Sequence, residues 1–161
     1  MIDGEACLIE LLDSEGQEEY AALRETWYRS GDGFMVMYDI CSRESFEAVR
    51  MYVEELKKIK EKMGAVTMCC LLGNKNDLDL QRTVGVEDGK KLAEELGTLF
   101  QECSAKTGDN VEEVVGELVR AIRRQRDEEK VLEETKRKAE EKERIKVERR
   151  KSSLWRRILS R

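Results

Sequence analysis

Short apolar runs alternate with longer amphipathic stretches along this chain, and the alternation predicts its elements. Glu5 to Leu12 reads as a strand carrying Leu8, Ile9, Leu11 and Leu12, and Met1 to Glu5 as the end of one strand, an Asp-Gly turn and the start of the next. Phe34 to Ile40 and Val66 to Leu72 are apolar on both faces, as strands covered on both sides of a parallel sheet should be. Thr98 to Glu102 is the last strand. Between them Ala21 to Ser30 favours a short helix, and Ser42 caps a longer one in which Phe46, Val49, Val53, Leu56 and Met63 recur at helical spacing. Val86 to Leu96 reads as a helix closed by Gly97, with Gly89 weakening its first turns. Asp109 followed by Glu112 resembles a capping box for a helix with Val111, Val114, Val115, Leu118 and Ile122 on one face. Strands alternating with helices predict an α/β fold, a mostly parallel sheet with flanking helices.

Beyond Arg123 the apolar stripe fades into dense charge, and no heptad seam is sustained. Pairs such as Glu133 with Arg137, Glu134 with Lys138 and Glu140 with Arg144 predict a long solvated helix held by exposed i,i+4 pairs. From Lys151 to Arg161, Leu154, Trp155, Ile158 and Leu159 share one helical face and arginines the other. That is a small membrane-surface amphipath, or simply a sticky tail.

Charge follows the same division. Residues 1 to 120 carry 14 Lys and Arg against 26 Asp and Glu, while residues 121 to 161 carry 16 against 9, so an overall −5 conceals an acidic body and a basic tail. The chain of 161 residues has no histidine, which excludes His-based triads and His-ligated zinc. Cys7, Cys41, Cys69, Cys70 and Cys103 are odd in number and lack Cys-x-x-Cys spacing, so reduced thiols in a cytosolic protein are expected. Nothing in the composition calls for nucleic acid.

Candidate chemistry lies where the apolar runs break. Val66 to Leu72 ends in Gly73-Asn74-Lys75-Asn76-Asp77, placing polar side chains at a strand's carboxyl end, where open α/β sheets bind ligands. Asp77 can accept two hydrogen bonds from the N1-H and 2-amino group of guanine, a donor pair adenine lacks. Asn74 can hold the loop or the base edge, and the Lys75 stem can lie along a base face. Taken alone, the tetrapeptide also fits an ordinary polar turn. Two further breaks accompany it: Asp13-Ser14-Glu15-Gly16-Gln17-Glu18-Glu19-Tyr20 after the first strand, and Ser104-Ala105-Lys106 after the last.

In this order and spacing the three stretches resemble the Ras branch of the small GTPases over about residues 1 to 126, leaving 127 to 161 as a charged helical extension. The resemblance implies a GTP- and GDP-binding signalling switch, cytoplasmic or peripheral on the inner face of the plasma membrane. Its implied partners are effector, exchange-factor and GTPase-activating proteins; an acidic membrane surface is the partner that the basic amphipathic tail itself suggests. It assigns Asp13 to Mg²⁺ through a water, the Gly16 N–H to the γ-phosphate and Gln17 to the attacking water. Asn74, Lys75, Asp77, Ser104, Ala105 and Lys106 are assigned to guanine, with the Ala105 N–H reading O6.

Three departures qualify those implications. Glu15 stands where the family carries Ala, putting a carboxylate beside the expected phosphate site. No Gly-x-x-x-x-Gly-Lys-Ser/Thr occurs in the sequence, and Gly85-Val86-Glu87-Asp88-Gly89-Lys90-Lys91 is too short and too acidic to replace it. By resemblance the first strand, first helix, phosphate loop and switch I would precede Met1, so weak nucleotide binding and little hydrolysis are expected of the chain as given. Finally, no cysteine lies in the last four residues, so a lipid anchor of the Ras kind is not implied. The alternative to a switch is a non-hydrolysing Ras-like interaction protein.

Overall fold

The apolar run before Asn74 becomes the central strand of a parallel sheet in the computed structural model, which describes residues 1–14 and 21–159. Contacts divide the chain into two compact units, Met1–Ile122 and Arg123–Arg161. In the first, elements alternate as α1 (Ala21–Ser30), β1 (Gly33–Asp39), α2 (Arg43–Lys62), β2 (Met68–Asn74), a 3₁₀ segment (Asn76–Gln81), α3 (Val86–Leu96) and β3 (Leu99–Glu102). The long helix α4 runs from Val111 to Leu159.

The sheet order is β1-β2-β3, all parallel, with Asp39 opposite Asn74 and Gly73 opposite Glu102. All three carboxyl ends therefore fall on one edge. Successive side chains on a strand point to opposite faces, and β2 fills both. Cys69 and Leu71 join Val49, Val53, Leu56, Leu92 and Leu96 of α2 and α3 in one core. Cys70 and Leu72 join Cys103 and Val114 in another, on the α4 side. Unbroken apolarity in β2 is thus the consequence of two covered faces.

Two glycines permit this packing. A Cβ on Gly73 would lie 3.0 Å from the Tyr38 hydroxyl, and one on Gly89 would lie 2.5 Å from the Phe100 ring. Gly89 weakens its helix for a reason: α3 approaches the sheet through it. At the other side Lys60, buried in α2, donates to the Gly31 carbonyl at 2.7 Å and sits over the Phe34 ring, tying α2 to the end of α1. Burial holds its ammonium pKa below the usual lysine value. All five cysteines are free thiols. Burial pushes Cys69 and Cys70 up to about 12, which leaves them inert as thiolate nucleophiles.

The expected strand at Glu5 to Leu12 is not formed. Only an isolated antiparallel bridge joins Ile2 to Glu5, and Leu8 is 99% exposed. The segment pairs with no strand among the described residues, and an apolar run without a strand neighbour does not hold an extended ladder. The Met1 to Glu5 turn is itself held: Asp3, in a positive-φ conformation, receives Arg120 of α4 at 3.0 Å. Met63 also departs from its expected place, ending α2 as an exposed C-cap.

In the second unit α4 carries the anticipated exposed charge. Glu134 pairs with Lys138 at 3.5 Å, and Arg144 takes Glu141 at 3.5 Å in place of Glu140. Val131, Leu132, Ile145 and Val147 are exposed. No helix of the described residues is long and apolar enough to cross a membrane.

Candidate nucleotide-base site

Three turns leave the carboxyl edge of the sheet, and their side chains converge. After β2, Lys75 adopts φ 71°, a left-handed conformation that an L-residue takes only when something holds it. The Asn74 side chain supplies part of that hold, since its Oδ1 accepts from the Lys75 N–H at 2.8 Å. The same Oδ1 accepts from the Ala105 N–H at 3.0 Å, so one amide oxygen joins the turns after β2 and β3.

Asp77 makes the second link. Its Oδ1 accepts from the Ser104 hydroxyl at 2.7 Å, and the Lys106 ammonium stands 3.9 Å from Oδ2. Ser104 is fully buried, its Oγ also accepting from the Thr107 N–H at 3.1 Å. A carboxylate oxygen fixed this way leaves its partner oxygen for an outside donor.

Several supporting groups were not evident from the sequence. Asp109 does not make the expected capping box: its carboxylate accepts from Asn76 Nδ2 at 2.6 Å and its carbonyl from the Ser104 N–H at 3.0 Å. The helix instead begins at Val111 after Asn110, whose φ is 58° and whose Nδ2 donates to the Glu102 carbonyl at 2.7 Å. Arg82 donates twice to Glu102, at 2.7 and 2.9 Å, and once to Asp79 at 2.7 Å. Asp39 receives the Lys75 ammonium at 2.6 Å. That hydrogen bond holds the Asp39 carboxyl below the usual carboxylate range and raises the Lys75 ammonium. A charged residue closing an otherwise apolar run was the available signal for Asp39; Asp109 and Arg82 gave none.

Asn74, Lys75, Asp77, Ser104, Ala105 and Lys106 therefore come together. Asp13 does not join them, lying exposed in an irregular segment. Glu15, Gly16 and Gln17 lie outside the described residues. Among the described residues no three His, Cys, Asp or Glu side chains converge as metal ligands, and the six residues that come together are not a metal site. They do fit a purine edge: a carboxylate oriented by a buried hydroxyl, with an amide oxygen and a backbone N–H beside it.

A parallel sheet with helices on both faces and an Asn-Lys-x-Asp turn facing Ser-Ala-Lys defines a class, and the comparisons agree with it. The Ras family model matches residues 1–124, and the chain belongs to the Ras family of small GTPases. It is 39% identical to Protein ras-2 of Neurospora crassa, over 78% of this chain and 62% of that protein. It is 44% identical to Protein ras-1 of the same organism, over 77% of this chain and 57% of that one. Ras-like protein rasX of Dictyostelium discoideum is 39% identical over 79% of the chain and 59% of its own length. The chain thus spans about three fifths of the length of the relatives it matches.

Proposed function

We propose that this chain binds guanine nucleotides at the turns after β2 and β3 and serves as a Ras-like signalling switch. The observation that carries the reading is the hydrogen-bonded set Asn74–Ala105 and Asp77–Ser104, which joins the turns after β2 and β3. Turns tied to each other in this way lose less entropy on binding than free ones. In this reading Asp77 takes the N1-H and 2-amino group of guanine. Ala105 shares its N–H with O6, and Ser104 and Lys106 hold the turn closed over the base. The roles of Asp13 toward Mg²⁺, Gly16 toward the γ-phosphate and Gln17 toward water rest on the family alone. So do effector, exchange-factor and GTPase-activating partners, a place at the inner face of the plasma membrane, and the treatment of residues 127–161 as an extension.

These 161 residues contain no Gly-x-x-x-x-Gly-Lys-Ser/Thr, and backbone N–H groups at a helix start together with that lysine supply most phosphate attraction. Affinity in this chain therefore comes mainly from the base. The test is titration of the purified chain with GDP, ADP and guanosine. Preference for GDP over ADP of about tenfold or more, equivalent to about 1.4 kcal/mol, is expected, and Asp77→Asn should abolish it. Equal binding of GDP and ADP refutes the reading. The same missing motif supports a second reading, a non-hydrolysing interaction protein, and GTP turnover by the intact chain separates the two.

A further inference from the structure

Beyond the residues that face the base edge stands one with no assigned part in recognition. Asp39 ends β1 and, through the parallel register, lies opposite Asn74. Its two carboxylate oxygens are divided. Oδ1 accepts from the Cys41 N–H at 2.8 Å, and Oδ2 accepts from the Lys75 ammonium at 2.6 Å. Its own N–H donates to Ser45 Oγ at 3.0 Å, anchoring it to the first turn of α2. The carboxylate is consequently fixed from two sides before it meets the lysine, with its side chain 25% exposed against 48% for Lys75.

Lys75 is the mobile partner in this pair. Its long stem has several rotamers to lose, and its backbone is already in the left-handed region. With its ammonium bound at Asp39, the stem runs from the end of β2 toward the end of β1. Asp77, Ser104, Ala105 and Lys106 gather on the opposite, β3 side. The ion pair thereby keeps the lysine off the base-edge readers and stretched across the sheet edge beside them.

We propose that Asp39 is a positioning residue of the base site, holding the Lys75 stem where a purine face rests on it. The proposal rests on the guanine reading above. It assigns the lysine stem to packing and its charge to Asp39, so removal of the charge contact should weaken a phosphate-free ligand as much as a nucleotide. Ordering one long side chain in advance is worth about two- to tenfold in affinity.

The test titrates guanosine and GDP into the intact chain, three single variants and one double variant, with melting midpoints recorded alongside. Asp39→Asn keeps the oxygen that accepts from Cys41 and replaces the lysine's charged acceptor with a neutral amide N–H donor; it should bind both ligands about two- to tenfold more weakly. Asp39→Glu, whose longer carboxylate still reaches a flexible ammonium, should recover most of that loss. A role confined to the β1–α2 turn would not produce this rescue. Lys75→Met keeps the stem without its tether; adding Asp39→Asn to it should weaken guanosine no further. Three results overturn the proposal: unchanged guanosine affinity in Asp39→Asn, a loss seen for GDP but not guanosine, or tighter GDP binding on removing the carboxylate. The last would mean that Asp39 competes with phosphate for the lysine. Absence of guanosine binding by the wild-type chain would instead overturn the base-site reading, and this proposal with it.

Discussion

Arg82 and Glu102 are the place where the sheet edge can be broken most cleanly. Arg82 follows the 3₁₀ segment that begins beside Asp77, and Glu102 ends β3 immediately before Cys103 and Ser104. Their paired bonds at 2.7 and 2.9 Å therefore join the two turns of the base site from below. The side chains are 18% and 14% exposed, too covered for water to replace a lost partner fully. Arg82 also donates to the Val84 carbonyl at 3.1 Å, and its hydrogen bonds to Glu102 raise its pKa further above the usual arginine value. Hydrogen bonds to charged groups contribute about 1.5–3 kcal/mol, and breaking a buried pair by removing one member costs about 3–5 kcal/mol. With part of each group in water and Asp79 still available to the guanidinium, Glu102→Gln should lose about 1–2 kcal/mol. Arg82→Met, which leaves a covered carboxylate unpaired, should lose about 2–4 kcal/mol. Urea unfolding of both single variants and the double variant yields the coupling energy. We expect about 1–2 kcal/mol of coupling and a parallel loss of GDP affinity. Additivity within about 0.5 kcal/mol would refute the claim that these two groups act as one staple.

Gly89→Ala should destabilise despite the better helix propensity of alanine, by a net of about 1–2 kcal/mol, because overpacking costs more than the propensity gain. Its Cβ would meet Phe100 at 2.5 Å and Tyr38 Oη at 2.6 Å, and thermal melting reads the outcome. Asp39 predicts the acid limb of stability. Its folded pKa lies below the ordinary 3.8, so the stability it contributes is full above that value and is lost as pH falls through the folded pKa. Urea midpoints of wild type and Asp39→Asn should differ at pH 6 and converge as pH drops below about 4.

Legibility of the sequence varied with the range of the interaction. α2 begins after the Ser42 cap, whose side chain accepts from the Ser45 N–H as the capping pattern implied. α3 ends at Gly97 with φ 55°, as a C-cap glycine should. Those are contacts within a turn, and the residue types announce them. The convergence of Asn74, Lys75, Asp77, Ser104, Ala105 and Lys106 was legible because two local motifs close two adjacent strands of one parallel sheet. Arg82, Asp109 and Lys60 were not, since each owes its role to a partner 20 or more residues away, or to one across a turn that only the packed sheet creates.

The misread segment from Glu5 to Leu12 makes the same point from the other direction. Apolar pattern states that a segment can be buried in a sheet, but a strand exists only through hydrogen bonds to a neighbour, and pattern cannot supply one. β1, β2 and β3 have each other; the residues around Leu8 have no strand beside them among those described. The base site depends on this difference. Every group that shapes it hangs from β1, β2 or β3 or from the turns that follow them, and β2, paired on both sides, ends at Asn74 and leads directly into Lys75 and Asp77. The turns after β2 and β3 are therefore joined in a structure where the Asp13 segment is not part of the sheet. On the proposed guanine reading, base recognition and phosphate chemistry belong to different parts of the chain, and guanosine and GDP titrations measure them one at a time.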